Sequence, residues 1–201
     1  MNGSHNPTDI RTGLVIGIHK KELDFGRQVA ALLPETDIRI VRIDQGLPQQ
    51  ESFRGRGYYY GAFHREIYLQ LHQQVKNKID LLIDLHTGIN EAGRCADLFC
   101  SDKNLLGRLE KTLNEYKVNL SDHSPAVRMY EITTVDSQAP AASRRFPVCH
   151  TIIPRAVWNS AHYSYVGLEI YLPKAGKGKP ADWNYGVGLV KGIIKANHGN
   201  P

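Results

Sequence analysis

Two histidines and a glutamate stand where apolar segments end, and together they have the chemistry of a metal site. His19 and Glu22 follow the segment "LVIGI" and are three residues apart, a spacing that places both side chains on one face of a helical turn. His86 follows a second apolar segment, "DLLIDL". Two imidazoles and one carboxylate suit zinc and leave a fourth position for water, whose pKa the metal lowers to about 7.

Glu169 is the candidate general base of such a site. It lies in "YSYVGLEIYLP", a segment that reads as a strand with mostly apolar neighbours. A carboxylate in that setting is costly unless it is paired or functional. Two alternatives stay open: Glu169 is the buried partner of an arginine, or His19, Glu22 and His86 are structural groups without a metal.

The elements that would position these residues alternate between strand and helix. Apolar runs and alternating patterns predict strands at 13–18, 38–43, 80–85, 96–100, 148–153 and 165–172. Amphipathic patterns predict helices at 21–33, 62–78, 103–116 and 183–197, the last one capped by Asp182. This alternation predicts an α/β fold in three layers, a mostly parallel, mixed sheet flanked by helices. In such folds ligands bind beyond the carboxyl ends of the strands, so we expect the candidate residues to meet there.

Three motifs in this order resemble those of a known family. "HKKE" at 19–22, "DLH" at 84–86 and "VGLE" at 166–169 look like the "HGNE", "DLHNT" and "VGIE" motifs of the succinylglutamate desuccinylase and aspartoacylase family. That family belongs to the zinc carboxypeptidase superfamily. The resemblance implies a zinc-carboxypeptidase-like fold, one Zn²⁺ per chain held by His19, Glu22 and His86, and Glu169 as base and proton shuttle.

The sequence also departs from the family pattern. Two lysines, Lys20 and Lys21, replace the Gly and Asn of "HGNE", and they place positive charge beside the expected metal. No "DLNR" motif supplies the arginine that binds the substrate carboxylate in relatives. The candidates for that role are Arg54 and Arg56 in "SFRGRGYYYG", and Arg155 in "IIPRAVW".

Composition places the chain among ordinary globular proteins and excludes several other classes. The 201 residues predict a single catalytic domain, 1–201, with a polar lead-in at 1–12 and no separate C-terminal β-domain. No apolar run approaches the roughly 20 residues of a membrane span, so we expect no membrane partner. Three cysteines without a CxxC pair suggest a reducing cytoplasm. The net charge of +5 is spread out, and attraction of an anionic substrate explains it as well as nucleic-acid binding does. No aromatic-basic motif supports nucleic-acid binding.

These observations predict a zinc-dependent hydrolase that cleaves an amide bond. The favoured prediction is a deacylase that acts on an N-acyl amino acid. The expected partner is a small substrate or peptide bearing a carboxylate. The alternatives are a metallocarboxypeptidase acting on a peptide terminus and a non-catalytic binding protein on the same fold. The acyl group, the amino acid and the oligomeric state are left open.

Overall fold

The computed structural model describes residues 11–34, 38–48, 57–118, 126–134, 144–174 and 176–199. Seven strands are described: β1 (Thr12–Ile16), β2 (Ile38–Arg42), β3 (Leu81–Ile89), β4 (Cys95–Cys100), β5 (Val127–Ile132), β6 (Val148–Cys149) and β7 (Ser164–Leu172). Five α-helices are described: α1 (Leu23–Ala31), α2 (Gly57–Val75), α3 (Lys103–Val118), α4 (Arg155–Trp158) and α5 (Pro180–His198). A single 3-10 turn, Lys20–Glu22, leads into α1. No helix within these ranges is long and apolar enough to cross a membrane.

The strands form one sheet in the order β2-β1-β3-β7-β4-β5-β6. Every neighbouring pair is parallel except β7 and β4, which are antiparallel. The sheet therefore has a parallel half, β2-β1-β3-β7, and a second half that runs the opposite way. The prediction of a mostly parallel, mixed sheet is confirmed.

Helices cover both faces of the sheet. On one face, α1, α3 and α5 pack against the even-numbered residues of β7, with Phe25, Leu109 and Ile193 fully buried between them. On the other face, α2 and α4 pack against the odd-numbered residues, with Tyr68 and Val157 buried. The predicted three-layer α/β architecture is confirmed, and the second face is the one on which the candidate site is built.

Several predicted boundaries need correction. His86 does not follow β3 but lies inside it, because the strand continues to Ile89. The strand predicted at 148–153 has only two residues, and β5 and α4 were not predicted. Asp182 is the third residue of α5 rather than its cap. Its carboxylate accepts the backbone N–H of Lys179, 2.8 Å away, and so pairs a backbone donor at the start of the helix.

Candidate metal centre and substrate pocket

The first part of the site is the short connection between β1 and α1. The chain leaves β1 through Gly17, whose φ of 85° is a left-handed conformation that L side chains rarely adopt. A Cβ atom here would also lie 2.6 Å from the carbonyl oxygen of Ile43, so only glycine fits. The turn that follows leaves His19 partly exposed and Glu22 buried, with Nδ1 of His19 3.1 Å from the Glu22 carboxylate.

His86 completes a group of three ligand-type side chains. It lies in β3, the strand next to β1, and its Nδ1 atom is 3.0 Å from Oε2 of Glu22. Ligand atoms of His19, Glu22 and His86 all lie within 4.8 Å of one another. Two ligands of a tetrahedral zinc ion are about 3.3 Å apart, so this donor set and its spacing fit the metal with small adjustments. The three residues predicted as ligands are thus neighbours, and metal binding itself stays a prediction.

The far side of the His86 ring is held by a buried carboxylate. Nε2 of His86 lies 3.1 Å from Oδ2 of Asp84, which is fully buried. The same oxygen accepts the hydroxyl protons of Tyr68, at 2.7 Å, and Tyr165, at 2.9 Å. A carboxylate behind a metal-binding histidine fixes the ring orientation and leaves the other nitrogen free for the metal. This arrangement directs Nδ1 of His86 toward Glu22.

The pKa values of Glu22 and His86 depend on each other and on the charged groups around them. Burial alone would raise the pKa of Glu22, but hydrogen bonds with His19 and His86 outweigh it, so its pKa lies below the ordinary value. Burial alone would lower the pKa of His86, but the charge of Asp84 and hydrogen bonds with Asp84 and Glu22 raise it well above the ordinary value. A cation is therefore favoured between these side chains, and a metal ion that binds there must displace protons.

Glu169 stands beside His86 in the sheet. The two residues are directly paired across the parallel strands β3 and β7, so their side chains point to the same face. Gly88 leaves room for the carboxylate, because a Cβ atom at that position would lie 3.0 Å from Oε1 of Glu169. Burial raises the pKa of Glu169 above the ordinary value. A carboxylate with a raised pKa at the edge of a polar site suits proton exchange.

A pocket of about 230 Å³ opens beside these residues. His19, His86 and Glu169 line its polar side. Its other side is largely apolar and includes Phe99, Ile132, Ile152 and Ile153. None of the described residues that line it is a lysine or an arginine. The pocket therefore combines a polar group suited to a metal with space for an apolar substituent.

Sequence reasoning missed the residues that support the site. The sequence shows Tyr165 four residues before Glu169, so strand periodicity alone puts both on one face. Asp84 lies two residues before His86 and shares its face for the same reason. Tyr68 and His64 are one helical turn apart on α2, and both are buried. In the sequence, His64 lies near the edge of the apolar stripe of its helix and no motif marks it, whereas in the structure it lines the pocket.

His86 and Glu169 are neighbours across the sheet, and the next two residues in the same row, on β4 and β5, form an ion pair. Asp97 of β4 is paired with Glu169, and Arg128 of β5 is paired with Asp97. Arg128 donates two hydrogen bonds to the Asp97 carboxylate, at 2.6 and 3.0 Å. This bidentate contact balances the negative charge next to Glu169.

The predicted substrate-binding arginines are placed only in part. Arg54 and Arg56 lie outside the described residues. Arg155 begins α4, two residues after Ile153 of the pocket wall, and its side chain is exposed. Lys20 and Lys21 are exposed as well and do not contribute to the described pocket wall, so their charges point to solvent.

Comparisons with known proteins identify similar structures but no sequence relatives. No protein-family model and no curated protein matches the chain. Similar solved structures include murine aminoacylase 3 (14% identity, TM-score 0.48, 96% of this chain and 66% of that one). They also include the amidase AmiC2 of Nostoc punctiforme, an N-acetylmuramoyl-L-alanine amidase (13% identity, TM-score 0.45, 95% of this chain and 98% of that one). A third is the catalytic domain of the CD27L endolysin targeting Clostridia difficile (14% identity, TM-score 0.47, 93% of this chain and 96% of that one).

This chain covers slightly less than two thirds of aminoacylase 3. All three TM-scores are below 0.5, so we infer function from the geometry of the site.

Proposed function

We propose that this chain is a zinc-dependent hydrolase that cleaves the amide bond of an N-acyl amino acid. The observation that carries the proposal is the grouping of His19, Glu22 and His86, with Glu169 in register beside them at the edge of a pocket. Two imidazoles and a carboxylate hold zinc in hydrolases and leave a position open for chemistry.

The residues divide the reaction between them. His19, Glu22 and His86 would hold a zinc ion, which would supply Lewis acidity for the amide carbonyl and for the attacking water. Glu169 accepts a proton from the attacking water and delivers it to the leaving nitrogen as the C–N bond breaks. One water molecule is consumed: its oxygen and one proton end in the new carboxylic acid, and its other proton leaves with the amine. Burial of Glu169 favours this role, because it raises the carboxyl pKa toward the working pH.

The shape of the pocket favours a substrate with an apolar group. Phe99, Ile132 and Ile153 face a cavity whose other side carries the candidate catalytic residues. An apolar acyl or amino-acid side chain that fills this space gains about 25 cal/mol for each Å² of surface removed from water. We therefore expect N-acyl derivatives of leucine or phenylalanine to be better substrates than those of serine or asparagine.

The substrate carboxylate requires a cation outside the described pocket wall. Arg54, Arg56 and Arg155 remain the candidates, since an arginine fork binds a carboxylate through two parallel hydrogen bonds. Arg155 is exposed near the pocket wall, a position from which it can meet a carboxylate at the entrance. Replacing the binding arginine with alanine should raise KM and leave zinc content unchanged.

Two alternatives are separated from the deacylase by experiment. A metallocarboxypeptidase would use the same residues on a peptide terminus. A non-catalytic binding protein was suggested by the lysines of "HKKE", but both side chains are exposed, so neither takes the place of a metal ion. We further propose that the protein works in the cytoplasm on a small substrate.

Zinc content and amide hydrolysis test the proposal together. Purified protein should be stripped with a chelator, reloaded with zinc and analysed by mass spectrometry for metal content. Amine release should then be measured on a panel of N-acyl amino acids and on short peptides. We expect about one zinc per chain and release of amine from the apolar N-acyl amino acids. Preferential release of a C-terminal residue from peptides would assign the carboxypeptidase instead.

His86→Ala should lose tight zinc binding and hydrolysis, whereas His198→Ala, at the exposed end of α5, should keep both. A stably folded wild-type protein that binds no zinc and hydrolyses no amide would overturn the proposal and support the binding-protein alternative.

A further inference from the structure

His64 is a buried polar side chain that the reaction described above does not use. Its relative exposure is 5%, and its Nδ1 atom is buried without a hydrogen-bond partner. A buried donor or acceptor without a partner costs on the order of 1–3 kcal/mol, so native proteins rarely keep one without a reason. Asp84 and Glu22, the buried carboxylates nearby, each accept several hydrogen bonds. Among the described residues, the buried side-chain atoms without a partner are Nδ1 of His64, Oδ1 of Asp84 and the hydroxyl of Tyr185, and His64 is the one of these three residues in the described pocket wall.

The position of His64 connects it to the candidate site. It lies on α2 one turn before Tyr68, and its ring centroid is 4.8 Å from that of Tyr68 and 6.3 Å from that of His19. It lines the same pocket as His19, His86 and Glu169. The unpartnered nitrogen thus belongs to the wall of a cavity in which a ligand would lie.

The strand that carries Glu169 and the strand that precedes His19 lie on opposite sides of β3, and the ring of His64 is near that of His19. An amide bound across the site would receive water from the side of the base, Glu169. Its carbonyl oxygen would then turn toward the side on which His64 stands.

We propose that His64 is a further substrate-binding residue that donates a hydrogen bond from Nδ1 to the oxygen of the scissile amide. This inference rests on the proposed amide hydrolysis. A neutral imidazole carries one N–H, so the Nδ1–H tautomer supplies the donor. The hydrogen bond strengthens as negative charge develops on the oxygen, so it stabilises the transition state more than the bound substrate. The described pocket wall holds no lysine or arginine that would take this role.

His64→Leu separates this role from a structural one. Leucine removes an unpartnered polar atom from a buried site, so stability should be unchanged or higher. Zinc affinity should also be unchanged, because His64 is not among the three ligand residues. The kcat for amide hydrolysis should fall about 100-fold or more, as it does when an oxyanion donor is removed elsewhere. His64→Gln retains an N–H donor and should recover part of the lost activity.

His72→Leu is the matched control, since it is the same substitution two turns further along the same helix. Nδ1 of His72 lies 2.9 Å from the hydroxyl of Tyr163, and His72 is not in the pocket wall. This variant should lose some stability, because it breaks that hydrogen bond, and it should keep its kcat. The two variants are therefore expected to show opposite patterns of stability and activity.

Binding of acetohydroxamate provides a measurement that does not depend on turnover. This amide analogue chelates zinc through its two oxygens, and its affinity for zinc-loaded protein can be measured by calorimetry. We expect the dissociation constant to rise on the order of 10-fold in His64→Leu and to be unchanged in His72→Leu.

Unchanged kcat and unchanged acetohydroxamate affinity in His64→Leu would overturn the role of His64. Loss of zinc in that variant would overturn it as well and would make His64 a metal ligand. If His64→Leu does not fold, the same measurements on His64→Ala decide, because alanine also removes the donor. Wild-type zinc affinity with no change in kcat or acetohydroxamate affinity in His64→Ala then overturns the proposal. A wild-type protein that binds zinc but hydrolyses no amide would refute only the proposed function. The acetohydroxamate affinity of His64→Leu, compared with wild type, would then show whether His64 binds the oxygen of an amide-like ligand.

Discussion

Nε2 of His86 lies 3.1 Å from the carboxylate of Asp84, on the side of the ring opposite to Glu22. Asp84 is fully buried and also accepts the hydroxyls of Tyr68 and Tyr165. Two tyrosines therefore fix the carboxylate, and the carboxylate fixes the imidazole. This chain of hydrogen bonds orients a candidate metal ligand before any metal binds.

Asp84→Asn should weaken zinc binding about 10- to 100-fold, because an amide is a weaker acceptor and polarises the His86 ring less. A zinc titration against a competing chelator measures the change. Asp182→Asn is the control, since Asp182 is a buried carboxylate that accepts a backbone N–H at the start of α5, outside the described pocket wall. It should lower the free energy of unfolding without changing zinc affinity. Equal zinc affinity in wild type and Asp84→Asn would show that Asp84 does not orient His86.

Glu169→Gln should keep a full equivalent of zinc and lose kcat by about 100-fold or more, since an amide cannot accept the proton of water. The control is Glu131→Gln, which alters a buried carboxylate paired with Lys103 at 3.3 Å and absent from the pocket wall. That variant should retain its kcat. Undiminished turnover by Glu169→Gln would remove Glu169 from the mechanism.

The fold was predictable because its signals are local. Continuous apolar runs predicted β1 and β3, and the helical stripe predicted most of α2. The short elements were not predictable, because the two residues of β6 and the four of α4 are too few to show a period. The strand β5, "VRMYEI", carries a charge at two of its six positions, so its pattern is weak.

The site was predictable where ligand-type side chains follow apolar runs in the sequence, as at His19, Glu22 and His86. The residues that surround it were not, because their roles depend on contacts between distant segments. Tyr68 reaches Asp84 only because α2 packs across β3, and no spacing in the sequence encodes that contact. His64 reads as a histidine near the edge of a helical stripe, and its orphaned nitrogen is visible only in three dimensions.

Cys149 and Cys100 should react differently with iodoacetamide at pH 8. Cys100 is 1% exposed, and burial raises its pKa to about 12, so almost no thiolate is present. Cys149 is half-buried and lines the pocket, and burial raises its pKa as well. We therefore expect slow alkylation of Cys149 and none of Cys100, measured by peptide mass spectrometry.

Alkylation of Cys149 should also fill part of the pocket and lower amide hydrolysis in step with the extent of modification. A Cys149→Ala variant should keep its own starting activity throughout the incubation, because the reactive group of the pocket is absent. Alkylation of Cys100 ahead of Cys149 would contradict the burial that the structure gives to these two residues.

The stability of the metal-free protein should depend on pH through His64. Burial lowers the pKa of His64 to about 4, compared with an ordinary value of 6.5 in the unfolded chain. Between these two values the unfolded chain binds a proton at this position that the native protein does not bind. The native state therefore loses stability as the pH falls from about 6.5 to about 4, and it keeps this contribution above pH 6.5.

His64→Leu removes this dependence, because leucine does not titrate in either state. The difference in unfolding free energy between the variant and wild type should thus grow in favour of the variant as the pH falls through this window. Urea unfolding of both metal-free proteins at pH 7.5, 6 and 4.5 measures the difference, and the other titrating groups are common to both. His198→Leu, which changes an exposed histidine, should show a nearly constant difference across the same pH values. If the difference in unfolding free energy between His64→Leu and wild type stays constant with pH, His64 is protonated as readily in the native protein as in the unfolded chain. Its imidazole would then not be the buried, neutral hydrogen-bond donor that we propose.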